Sequence, residues 1–126
     1  MDYRTPLSRA KGLGSAKGGT SHWWMQRVTA VLLIPLSFWL INFLGLSLTA
    51  PYQQTAAWLA SPLNTVCIVM WIIAVFYHAA LGLQVVIEDY VAAEGPKIIS
   101  IWVVHLVFLF LAIAAMLAVF RVASIG

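Results

Sequence analysis

LNTVCIVMWIIAVFYHAALGLQVVI, residues 63–87, contains no Asp, Glu, Lys or Arg. Its 25 residues exceed the roughly 20 that a helix needs to cross a bilayer. The surplus length implies a tilted span. The charge-free stretch reaches well beyond it: positions 28 to 87, 60 residues, carry none of the four charged types. Two more apolar runs of spanning length flank it, at 28–49 and 98–120, the latter closed by Arg121. The expected fold is all-α and integral to a membrane, with three transmembrane helices running up-down-up.

Composition supports this reading. Of 126 residues, 63% are hydrophobic and 9% charged, where a soluble domain has about 25% charged. The length fits a single domain. Pro35 falls inside the first span, where a kink is expected and a neighbouring helix can satisfy the freed carbonyl. The connection APYQQTAAWLASP, residues 50–62, is polar but uncharged and admits a short interfacial helix. The link EDYVAAEGPK, residues 88–97, carries both charge signs, and its Gly95-Pro96 pair is expected to end any helix before it.

The pI of about 9.4 does not point to nucleic acid, because the charges are few and sit mainly in one arm. Residues 1–21 are polar, basic and rich in Gly and Ser, and are expected to form a flexible arm. Residues 22–126 then form the membrane domain. Ser21 is placed to cap the first helix, and Trp23 and Trp24 suit the water–membrane interface. A cleaved signal peptide is not expected, since the first apolar run exceeds the usual h-region of about 7–15 residues. Cys67 is the single cysteine, so no intrachain disulfide or CxxC motif exists, and it reads as a small inert hydrophobe.

Within the second span lies His78. An ionisable ring at that depth is costly in hydrocarbon and marks a functional site by default. Its bland alternative is a histidine hydrogen-bonded to a neighbouring helix. Asp89 follows eleven residues later, about 16 Å along the axis and roughly 20° from the His78 direction. Gly82, one turn from His78, has no Cβ and lets a flat macrocycle or another helix approach. A neutral imidazole can ligate haem iron. His105 in the third span is about 10 Å deep and His78 about 14 Å deep, so a second axial ligand can come from this chain or from another polypeptide. Asp89 and Tyr90 read either as an ordinary helix end or as a carboxylate and a phenol at the water edge, where quinone reduction takes up its protons. Arg27 reads either as a snorkelling anchor or as a bidentate partner for a haem propionate or a polar contact near a quinone.

The run His78-x10-Asp89-Tyr90 in the second of three spans, with Arg27 in RVTAV at the start of the first, resembles the small hydrophobic anchor subunit of succinate dehydrogenase, respiratory complex II. The resemblance covers approximately residues 21–120. It implies that His78 is an axial ligand of haem b iron, with Arg27 near the haem propionates; Gly82 remains a haem-side candidate from its place on the His78 stripe. It implies that Tyr90 hydrogen-bonds ubiquinone with Asp89 beside it. His22 lies close to a histidine that precedes the arginine in some members, and joins the haem-side candidates. His105 has no assigned counterpart, which favours a second haem ligand from a companion cytochrome b subunit. The implied partners are that cytochrome b subunit, an iron–sulfur subunit, a flavoprotein subunit and membrane lipids, together forming one helix bundle with soluble subunits docked on it. With no nucleotide motif, Cys cluster or nucleophile in the chain, succinate oxidation falls to the other subunits. The anchor of a fumarate reductase is the alternative in the same chemical class. A cofactor-free membrane assembly or transport component is the alternative in another.

Orientation follows from Lys and Arg. Arg4, Arg9, Lys11, Lys17 and Arg27 precede the first span, and Lys97 lies on the same side of the membrane. Only Arg121 lies opposite. The positive-inside rule then places the N-terminus on the cytoplasmic side, or the equivalent matrix side, and the C-terminus opposite; the resemblance implies a bacterial inner membrane, with the C-terminus in the periplasm. A reporter fused after Gly126 is expected to be active only in the periplasm; cytoplasmic activity there would overturn the three-span arrangement.

Overall fold

The computed structural model describes the backbone of residues 16–125 and the side chains of residues 20–124. Four helices follow one another: α1 Ala16–Thr49, α2 Tyr52–Ala60, α3 Pro62–Tyr90 and α4 Glu94–Ile125. The described residues contain no strand. Three of the helices, α1, α3 and α4, are long and apolar enough to cross a membrane, as the three apolar runs imply.

The helices run past the apolar segments at their ends. α1 begins at Ala16, inside the stretch read as a flexible arm, so Ser21 lies within the helix rather than at its cap. Once the long apolar segment has nucleated a helix, adding residues to its end costs little, even through Gly18 and Gly19. The rest of the arm, residues 1–15, lies outside the described residues. α1 continues through Pro35. Gly95-Pro96 opens α4 rather than closing α3. Proline is at home in a first helical turn, where its missing N–H has no partner to lose. α3 ends instead at Tyr90, with Val91 turning to extended backbone (φ −101°, ψ 107°). Glu94 stands in the first turn of α4, where a negative charge complements the helix dipole.

Short connections force neighbouring spans to be antiparallel, and α3 becomes the middle of a layer. It packs against both α1 and α4, while no described Cα of α1 comes within 8 Å of one in α4. The most apolar window of α3 is accordingly 28% buried, against 6% in each outer helix. α2 tucks under the layer and touches all three spans. There Leu59, Ile68 and Ile72 form the buried core, covered by Trp39 and Phe43 from α1 and by Ala115 and Met116 from α4. Trp58 stacks between Trp39 and Phe43, with ring centroids 5.2 and 5.8 Å away.

Polar side chains tie α1 to α3 at three levels. Trp39 Nε1 donates to Asn64 Oδ1 at 3.2 Å, Trp71 Nε1 donates to Ser37 Oγ at 3.2 Å, and Thr29 Oγ1 lies 3.0 Å from His78 Nδ1. Asn64, Trp71 and His78 are spaced by sevens, about 700° and hence one stripe of a helix. Their partners ascend α1 as they descend α3, which is the antiparallel register. Interhelical hydrogen bonds of this kind contribute about 0.6–2 kcal/mol each in a membrane.

Candidate functional site

The site is built on the α1–α3 seam at the end away from α2. Helical spacing puts His78, Gly82 and Asp89 on one stripe of α3, at i, i+4 and i+11. On α1, His22, Gln26 and Thr29 share a stripe at i, i+4 and i+7. The antiparallel register sets the two stripes against each other. Thr29 meets His78, and one turn further Gln26 covers Gly82, its Nε2 3.6 Å from where a Cβ would stand. Continuing the register brings His22 towards the Asp89 end. The structure thus joins the His78 and Gly82 level to α1 directly. Arg27, Asp89 and Tyr90 stand exposed at the same end of the layer.

Thr29 is buried, with 5% of its surface exposed. Its hydroxyl lies 2.7 Å from Met25 O and 3.2 Å from Gln26 O, besides the contact with His78. The His78 ring therefore has Nδ1 engaged and Nε2 left over. That is the arrangement in which metal-ligating histidines are usually held: one nitrogen fixed by a protein oxygen, the other presented to the metal. Gln26 adds a second sign. Its Oε1 is buried with no hydrogen-bond partner, an expensive state for an amide, and it sits one turn from Thr29. The donor set fits a haem held through one axial nitrogen. Among the described residues no three His, Cys, Asp or Glu side chains converge on a point, so a metal ion bound here takes the rest of its ligands from a porphyrin or another chain.

His105 belongs to a different face. Its Nε2 lies 3.0 Å from Gln84 Oε1, and Gln84 Nε2 donates to Glu88 Oε1 at 3.0 Å. Gln84 follows His78 by six residues, about 240° round the helix. The two histidines are thus engaged in directions about 120° apart around α3, each by a different partner. His105 instead lines an apolar groove of about 420 Å³ between α3 and α4, with Phe76, Tyr77 and Trp102.

At this exposed end, the Arg27 guanidinium lies 5.0 Å from the Trp23 ring centroid. Trp23 packs edge-on against Trp24 at 5.0 Å. Trp23, read with Trp24 as an interfacial anchor, thus also holds the arginine by a cation–π contact. Tyr90 is 83% exposed, so its hydroxyl is free to meet a ligand or a partner.

Residues 1–120 match the family described as the succinate dehydrogenase/fumarate reductase transmembrane subunit. The chain belongs to this family. A succinate dehydrogenase hydrophobic membrane anchor subunit from Rickettsia bellii is 36% identical over 119 residues, covering 94% of this chain and 95% of that relative. The corresponding subunit of Paracoccus denitrificans is 31% identical over 126 residues, 100% of this chain and 95% of its own. A succinate dehydrogenase membrane anchor subunit of Reclinomonas americana is 29% identical over 94 residues, 72% and 78% of the two chains. The resemblance read from His78, Asp89, Tyr90 and Arg27 is borne out at the level of the family, and with its three apolar helices the chain is a multi-pass membrane protein.

Thr29 and Gln26 were missed by the sequence reading. Heptad spacing of Asn64, Trp71 and His78 was the available signal, since three polar groups on one stripe of an apolar helix demand partners opposite. The close approach at Gly82 is testable. A Cβ there meets Gln26 in ordinary contact, so Gly82→Ala should leave the protein at normal levels in the membrane. Gly82→Leu must push Gln26 or α1 aside, at about 1–3 kcal/mol, and should lower the assembled amount several-fold on immunoblots. Equal levels for the two variants would contradict the tight seam.

Proposed function

We propose that this chain is the hydrophobic anchor of a succinate dehydrogenase, holding haem b together with a companion cytochrome b subunit and binding ubiquinone at the cytoplasmic edge of a bacterial inner membrane. The observation that carries the haem assignment is His78 itself, with Nδ1 engaged by buried Thr29 and Nε2 left for iron. Haem, when bound, supplies a one-electron centre beside the quinone site. In this proposal Arg27 pairs with a propionate at the membrane edge, with His22 on the same side. Gly82 gives the close approach between helices that the site needs. The flavoprotein and iron–sulfur subunits dock on the face that carries the N-terminal arm and the α3–α4 link.

Ubiquinone is the electron acceptor in this reading, and Tyr90 is its hydrogen-bond donor. Tyr90 ends α3 at the water edge, exposed and one residue from Asp89. A phenol O–H donating to a quinone carbonyl gains strength as negative charge develops on that oxygen during reduction. Hydrogen bonds to charged groups contribute about 1.5–3 kcal/mol. Asp89 orients water or a cationic neighbour beside the site. The relatives from Rickettsia bellii and Paracoccus denitrificans, both named as succinate dehydrogenase subunits, favour succinate oxidation over fumarate reduction as the reaction served.

Tyr90→Phe removes only the hydroxyl. Succinate–quinone reductase activity of the assembled complex is expected to fall by roughly one to two powers of ten, at about 1.4 kcal/mol each. Succinate oxidation with a soluble artificial acceptor, which bypasses this site, should stay near normal. Undiminished quinone reduction in the assembled variant would remove Tyr90 from the site.

A further inference from the structure

Thr29 is one of the few polar side chains buried in an otherwise apolar helix, and its three oxygen and nitrogen neighbours set the direction of every hydrogen bond around it. A hydroxyl has one proton to give. The shortest contact, 2.7 Å, is to the carbonyl of Met25 four residues back, the usual acceptor for a threonine inside a helix. Gln26 O, at 3.2 Å, is a second carbonyl and can only accept. With its proton committed to this pair of carbonyls, Thr29 Oγ1 meets His78 Nδ1, 3.0 Å away, as an acceptor. His78 must then carry its proton on Nδ1 and a bare lone pair on Nε2.

We propose that Thr29 is the positioning residue for the iron ligand, fixing both the tautomer of His78 and the plane of its ring. The inference rests on the haem-ligand reading of His78. Two consequences follow. The ring is oriented by a residue of α1 rather than by its own helix, so ligand geometry depends on the α1–α3 seam. The N–H donated to Thr29 also pushes electron density towards Nε2, which favours the oxidised, more positively charged iron. Because the acceptor is a neutral hydroxyl, the effect is modest.

Thr29→Val keeps the branched shape and removes the acceptor, and an apolar β-branched residue suits the surrounding helix. Thr29→Ala serves the same purpose with less bulk, and Thr29→Ser restores the hydroxyl. All are measured in the purified intact complex, by optical redox titration of the haem and by low-temperature electron paramagnetic resonance. In the Val or Ala variant the oxidised state should lose about threefold in relative stability, an upward shift of roughly 28 mV at about 59 mV per tenfold. The low-spin signal should broaden or move as the ring plane loosens. Thr29→Ser should return both readings towards the original. A potential and a low-spin signal unchanged in both the Val and Ala variants would overturn the role of Thr29 alone. Absence of any low-spin haem signal in the unsubstituted complex would instead overturn the underlying haem reading.

Discussion

The hydrocarbon core of a membrane offers no water to a polar side chain, and the arrangement of this protein follows from that constraint. α3 carries Asn64, Trp71 and His78 into the layer, and each must find its partner on another helix. It finds them on α1, in Trp39, Ser37 and Thr29. These three contacts fix which face of α3 meets α1 and at what height. Apolar packing alone would specify this poorly, because lipid tails compete with leucine side chains on nearly equal terms. Placing α3 in the middle then leaves another of its faces to α4 and the groove that His105 lines.

The layer has two unlike ends. At the α2 end, Leu59, Ile68 and Ile72 close a core lined by Trp39, Trp58 and Phe43, and Asn64 Nδ2 donates to Trp58 O at 2.8 Å to hold α2 in place. At the other end Thr29, His78, Gln26 and Gly82 meet inside the seam, while Arg27, Asp89 and Tyr90 stand exposed. A site built on helices and tied across a seam is held more closely than one carried on loops. The same α3 joins a half-buried imidazole to an exposed phenol, twelve residues apart or about 18 Å of helix.

Much of this was legible in the sequence because the membrane makes a coarse demand. Three long charge-free runs can only be spans, and Lys and Arg placement sets their expected direction. His78 stood out because an imidazole at that depth needs a reason. What the sequence hid depends on pairing between helices. Thr29 looks unremarkable in VTAVLL, since threonine commonly satisfies itself on its own helix, and nothing local announces that its oxygen also receives His78. Gly95-Pro96 was misread because the pair breaks a helix or opens one, and only the three residues left between α3 and α4 decide for opening. The helical stretch from Ala16 was hidden by glycines that a long neighbouring helix overrides.

In the proposed function His78 is the group of this chain that meets haem iron. The direct measurement is the reduced-minus-oxidised optical spectrum of the purified complex, compared across His78→Ala and His105→Ala, with subunit content checked in each. His78→Ala is predicted to lose or alter the low-spin haem bands, while His105→Ala, engaged by Gln84 rather than at the α1–α3 seam, retains them. Bands intact in an assembled His78→Ala complex would contradict that role for His78.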